Sequence, residues 1–176
     1  MKFNRNPSLL HKTYYLTIPF VIDMKESKDG GPKLIEEARE YLNEKKYPIR
    51  IACSTKSGWP VVLSMWYVFR DGGFWCATQR KAKVIEYLRN DVRCAFEIAA
   101  NKPPYKGVRG QGRAFLNEKR GKETLETLLI RYLGNVDSPL AKRLLAASED
   151  EIAIEIRPIN YFFWDYESRM KDSLTR

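Results

Sequence analysis

The sequence predicts one mainly β domain, an antiparallel barrel of about six strands with flanking helices packed at its ends. Three observations lead there. Several short segments alternate apolar and polar residues, the mark of strands with one buried face. Turn signals separate them, above all Ser57-Gly58-Trp59-Pro60 and Asp71-Gly72-Gly73, and short strands at such spacing build barrels and sandwiches. The strand–helix–strand alternation of a doubly wound parallel sheet is absent.

Taken in order, residues 1–30 form an extension and linker that runs into the breaker stretch Glu26-Ser-Lys-Asp-Gly-Gly-Pro-Lys33, with room for one strand around 14–22. The domain proper covers 31–170, and 171–176 are a tail. Leu34, Ile35, Ala38, Tyr41 and Leu42 fall at helical spacing, with Glu36, Glu37 and Glu40 between them, which predicts an amphipathic helix. Ile49, Ile51, Cys53 and Thr55 then alternate as a strand. Residues 61–70 are apolar on both faces and predict one strand covered on both sides. Asp71-Gly72-Gly73 makes a tight hairpin turn into the strand 74–78. A helix over 81–89 and a strand over 92–100 follow. The glycine-bearing strand 108–116 leads to two helices. The first, 120–133, is stopped by Gly134; the second opens on the capping pair Ser138-Pro139. Ile152, Ile154 and Ile156 alternate as a last strand before a short aromatic tail.

Composition narrows the chemistry. Of 176 residues, 44% are hydrophobic and 30% charged, as in ordinary globular proteins. Lys and Arg number 31 against 22 acids, a balance that favours anionic partners. No run reaches the ~20 apolar residues of a membrane-spanning helix, so no membrane partner is expected. Cys53, Cys76 and Cys94 form no CxxC pair, which predicts buried free thiols and a cytoplasmic, reducing location. The single histidine, His11, excludes a multi-histidine metal site, and its place in the expected extension argues against a Ser-His-Asp triad within one chain. No metal site is expected, and no catalytic residue stands out. If the protein is an enzyme, a bound cofactor carries the difficult chemistry.

The most informative segment is Thr78-Gln79-Arg80-Lys81-Ala82-Lys83. A strand ends in a hydroxyl, three cations follow, and a helix begins. Free N–H groups at a helix start, a hydroxyl and cations together suit a phosphate; the same run also suits an exposed, solvated turn. A second basic segment holds Lys102, Lys106, Arg109 and Arg113, with no acid between Glu97 and Glu118. It reads equally as a ligand-facing strand or as a charged edge. Basic strands rich in Tyr, Phe and Trp also suit a nucleic-acid-binding barrel without catalysis. Trp59, Trp66 and Trp75, however, sit where burial is expected, so nucleic acid is not the favoured partner.

Three stretches in order, STKSGWPVVLSMWYVF, DGGFWCATQRKAKVIEYLRNDVRCAFEI and KGVRGQGRAFL, resemble the pyridoxamine 5′-phosphate oxidase-like, flavin-binding split barrels. So does the closing EIAIEIRPINYFFWDYESRM, and the likeness covers residues 34–166. It implies a six-stranded antiparallel split barrel that binds FMN, or alternatively a deazaflavin, and acts as an oxidoreductase on a small molecule. It implies a homodimer with cofactor sites at the interface. Leu63, Ser64, Met65 and Trp66 would lie along the flavin ring and ribityl chain. Thr78, Gln79, Arg80, Lys81 and Lys83 would surround the phosphate. Lys106 and Trp164 would reach the cofactor or substrate pocket from the second subunit. The chain departs from the oxidase itself at Leu63, where an arginine is expected, and at Gly107, where a glutamine is. It also lacks the C-terminal arginine–histidine signature, with only Arg169 nearby, so pyridoxamine phosphate oxidation is not the implied activity.

Overall fold

The computed structural model describes residues 34–174; the expected extension 1–30, its possible strand and His11 lie outside the described residues. The chain runs α1 (Glu36–Glu44), β1 (Ile49–Ser54), β2 (Pro60–Met65), β3 (Val68–Arg70), β4 (Gly73–Gln79), α2 (Lys83–Asn90), β5 (Arg93–Ala99), β6 (Lys106–Asn117), α3 (Gly121–Leu133), α4 (Pro139–Ala146) and β7 (Glu151–Asp165). All seven strands join one antiparallel sheet in the order β2-β1-β5-β6-β7-β4-β3.

Among the described residues the strand count is seven rather than the expected six, because the apolar run 61–70 is two strands. β2 and β3 occupy opposite edges of the sheet, and Trp66-Tyr67 make the crossing between them. Tyr67 is fully buried there. Its N–H donates to the Tyr132 hydroxyl at 3.3 Å and its own hydroxyl to the Leu42 carbonyl at 2.8 Å, bonds that stand in for the interrupted ladder. A two-residue link thus ties one edge strand of the sheet directly to the other. The sheet order does not pair β2 with β3, so the barrel is split at this seam.

Two further expectations need correction. The face of β2 that points away from the barrel is open, with Val62 65% exposed, whereas both faces were expected to be covered. Trp59 is 74% exposed rather than buried. It belongs to a turn that closes on itself through Thr55 N–H to the Trp59 carbonyl at 2.9 Å and projects its ring beyond the sheet.

The aromatic tail also turns out to be strand. β7 pairs with β6 from Ala153↔Asn117 to Asp165↔Lys106, and with β4 through its first half. Tyr161 and Phe163 pack on the barrel core, while Phe162 and Trp164 lie beside Arg109. Both faces being aromatic, alternation is invisible in the sequence. A bulge at Gln111/Gly112 shifts the register by one residue opposite Pro158–Asn160, where proline's missing N–H is tolerated.

Inside the barrel, Ile49, Ile51, Phe74, Phe96, Ile98, Val108 and Ile154 form the core with the apolar faces of α1 and α2. The Phe74 and Phe96 rings lie 4.8 Å apart. A smaller core of Leu125, Leu129 and Ala141 joins α3 and α4 to Trp66 and Ala77. The expected turn and caps hold: Asp71 and Gly72 both have positive φ, as a type I′ hairpin requires. Gly134 ends α3 at φ 81°, and the Ser138 hydroxyl accepts from Ala141 N–H in α4. Cys53, Cys76 and Cys94 are buried and unbridged. Among the described residues, no helix is long and apolar enough to cross a membrane.

Candidate functional site

β4 delivers the first group of site residues. Its first half is locked between β3 and β7, and its last residues, Thr78 and Gln79, pair with Ile152 and Glu151. Arg80 leaves the sheet, though its N–H still donates to the Asp150 carbonyl at 2.8 Å. Ala82 N–H closes a turn on the Gln79 carbonyl at 2.9 Å, and α2 starts at Lys83. Its N-cap, Ala82, offers no side-chain acceptor to the first-turn N–H groups. A serine or aspartate there would have satisfied them. The donors at this helix start, with the dipole behind them, therefore suit an external anion.

The charges around this turn are partly matched. Arg80 Nη1 lies 2.8 Å from Glu118 Oε1, and Arg89 Nη2 lies 3.5 Å from the same oxygen. Lys83 and Lys56 both contact Glu86, at 3.0 and 3.2 Å, and Lys81 is exposed. The hydrogen bond and charge of Arg80 hold the Glu118 carboxyl below its ordinary range. The bond to Glu86 raises Lys83. Sequence reasoning missed Glu118 and Arg89, because the turn after β6 is brought to the β4–α2 turn only by the sheet. The one hint was that Glu118 is the first acid after a long basic stretch.

β2 carries the second group. Leu63 and Met65 share a face with Val61 and pack toward the core, whereas Ser64 is exposed on the other face. As an edge strand, β2 turns part of its backbone N–H and C=O away from β1, open to a ligand. Trp66 stacks on Tyr132 at 4.9 Å and 7°, and packs with Ala77 against the α3–α4 core. That shared core ties the end of β2 to the strand that carries Thr78.

Lys106 and Trp164 sit at the other end of β7 from the partners of Thr78 and Gln79. Lys106 Nζ is held by Glu37 at 2.8 Å and Asp165 at 2.9 Å; burial would lower its pKa, but the two carboxylates outweigh it and raise it. Trp164 pairs with Gly107, and the Arg109 guanidinium lies over both its ring and that of Phe162, at 5.5 and 5.0 Å. The run of β7 from Ile152, opposite Thr78, to Trp164 is roughly 40 Å of strand at ~3.3 Å per residue. Along β7, Trp164 thus lies well beyond the strand partner of Thr78.

The outer face of the sheet holds a shallow hollow of about 480 Å³ lined by Ala52, Val62, Ala95, Arg109, Gln111 and Phe162 among others. Along one cross-strand row the charges alternate as Arg50, Glu97 and Arg109, with Arg50 Nη1 3.3 Å from Glu97. Among the described residues, no group of three or more His, Cys, Asp or Glu side chains could hold a metal.

No family model matches the chain, and no curated protein does. Solved structures match it by shape. A conserved hypothetical protein from Mycobacterium tuberculosis superposes with a TM-score of 0.65 at 21% identity, over 83% of this chain and 92% of that one. An F420 reductase gives 0.60 at 19% identity, over 70% and 94%. The heme storage protein HutZ of Vibrio cholerae gives 0.59 at 12% identity, over 74% and 95%. At these identities the likeness is one of fold alone, a split barrel shared with these solved structures.

Proposed function

We propose that this protein binds FMN at the interface of a homodimer and acts as a flavin-dependent oxidoreductase on a small molecule in the cytoplasm. The observation that carries the reading is the β4–α2 turn. Thr78, Gln79, Arg80, Lys81 and Lys83 follow one another from the end of β4 into a helix start with no side-chain cap, and would offer a hydroxyl, an amide and three cations there. That donor set fits a phosphate monoester. Leu63, Ser64, Met65 and Trp66, at the free edge of β2, would run along the ring and ribityl chain through their backbone. A bound flavin would supply the redox chemistry; the chain's part is to hold the phosphate, orient the ring and keep water from it.

The length of β7 between Trp164 and the partner of Thr78 supports a dimer. Lys106 and Trp164 would complete the site from the other subunit, since one chain holds them far along β7 from Thr78. The open outer face suits a second copy of itself if the two-fold axis falls between neighbouring positions of the Arg50–Glu97–Arg109 row, so that each Glu97 meets an arginine of the copy.

Pyridoxamine phosphate is not the proposed substrate. Any Cβ at Gly107 would lie 2.6 Å from the Ile98 carbonyl and 2.7 Å from the Trp164 ring, so a glutamine cannot stand there without rearrangement. A deazaflavin is the alternative cofactor, favoured by the shape match to an F420 reductase.

The test is an absorbance and fluorescence titration with FMN and with riboflavin, on the native protein and on the Arg80→Ala/Lys83→Ala double variant. About one FMN per chain is expected, with riboflavin weaker and the double variant losing that preference. Equal binding of the two flavins, or full FMN retention by the double variant, overturns the phosphate site. Binding of a deazaflavin but not FMN selects the alternative. Salt-sensitive binding of oligonucleotides without any chromophore selects a nucleic-acid role instead.

A further inference from the structure

We infer that Glu118 is a positioning residue for the phosphate site, fixing the Arg80 guanidinium at the β4–α2 turn. The inference rests on the reading that this turn holds a flavin-type phosphate.

Both members of the pair are anchored to the start of the same strand. The Arg80 N–H is tied to the carbonyl of Asp150, just before β7. Glu118 opens the short turn after β6, and Asn117 Oδ1 braces that turn by accepting the N–H groups of Lys119 and Arg120, each at 3.1 Å. Gly121 then presses so close to β7 that a Cβ there would sit 1.9 Å from the Glu151 carbonyl. An exposed ion pair between free side chains contributes little, because ordering both offsets the attraction. Here both backbones are already fixed, so only the side chains remain to be ordered.

The chemistry fits positioning rather than blockade. One carboxylate oxygen engages one nitrogen of Arg80, and a guanidinium has five N–H donors in a rigid fork. Donors therefore remain for an anion. The same oxygen also faces Arg89, so two cations share one negative charge and the turn stays net positive. Without Glu118, Arg80 keeps its charge but loses its fixed geometry.

The experiment compares FMN and riboflavin affinities, by flavin fluorescence, for the native protein and for Glu118→Ala, Glu118→Gln and Glu118→Asp. Loss of one oriented, charge-assisted contact is expected to weaken FMN about five-fold in the Ala and Gln variants. Riboflavin affinity should stay level, and Glu118→Asp should recover part of the loss. Unchanged riboflavin binding also certifies that each variant is folded. If Glu118→Ala binds FMN as tightly as the native protein, or more tightly, Glu118 does not position Arg80. If FMN weakens and riboflavin weakens equally, its role is structural and the inference fails. If the native protein itself does not prefer FMN to riboflavin, the phosphate reading fails first and the inference with it.

Discussion

Arg131 of α3 donates to the Leu42 carbonyl at 2.7 Å, the same oxygen that accepts the Tyr67 hydroxyl. It also donates to the carbonyls of Asn43 and Lys45 at 2.6 and 2.8 Å. One guanidinium thus serves three carbonyls at the end of α1, where such groups have no partner within the helix. Arg131→Met should lower stability by about 2–3 kcal/mol, as charge-assisted bonds to partly buried carbonyls are lost. Arg131→Lys should recover little, because an ammonium lacks the planar fork. Urea denaturation of both variants checks this, and an effect under about 0.5 kcal/mol would reduce the contact to surface decoration.

The separation of Thr78 from Trp164 along β7 predicts subunit complementation. The Arg80→Ala/Lys83→Ala variant and a Trp164→Ala variant should each bind FMN poorly alone. Unfolded together and refolded, half of the chains should pair as mixed dimers, each with one wholly native site. FMN capacity should then return to about a quarter of the native value. No recovery on mixing would mean that each chain builds its site by itself.

Gly110 sits beside the β6–β7 bulge, where a Cβ would lie 2.1 Å from the Asn160 carbonyl and 2.7 Å from the Phe96 ring. Gly110→Ala must push two strands apart and should cost about 2–3 kcal/mol. Gly134→Ala meets no atom within 4 Å, and its cost, about 1 kcal/mol, comes from φ alone. Thermal unfolding of the two variants should rank them in that order.

Alkali should destabilise the fold. Burial raises the thiols of Cys53, Cys76 and Cys94 above the ordinary 9.0, with Cys94 pushed up to about 12. Burial likewise pushes the Tyr41 phenol up to about 12 and raises Tyr67 further. Above about pH 9 the unfolded chain loses these protons while the folded chain keeps them. The folded state then binds more protons, so stability falls as pH rises, by up to ~1.4 kcal/mol per unit for each fully shielded thiol. Urea midpoints at pH 8 and pH 10.5 should differ accordingly; a level midpoint would mean that the thiols reach solvent.

Local signals were legible in the sequence, and partnerships across the sheet were not. The 49–55 alternation, the Asp71-Gly72 turn, the Ser138 cap and the Gly134 stop each act over a few residues, and each is where its pattern says. The run 61–70 misled because its break at Trp66-Tyr67 is made by Leu42 and Tyr132, which no local pattern announces. Residues 158–165 misled because a strand with aromatic residues on both faces has no period. At the site, the cation cluster after Thr78 was readable from composition. Its partner Glu118 was not, since only the pairing of β6 and β7 brings the two turns together.

β7 has a consequence in time as well as in space. It is the last of the described strands to be made, yet it alone joins β6 to β4. Until it emerges from the ribosome, β3 and β4 are a hairpin with no sheet to enter, and β6 is an open edge more than ten residues long. The nascent chain must therefore wait in two pieces, and a release that stops short of residue 151 leaves exposed strand edges for chaperones or proteases to find.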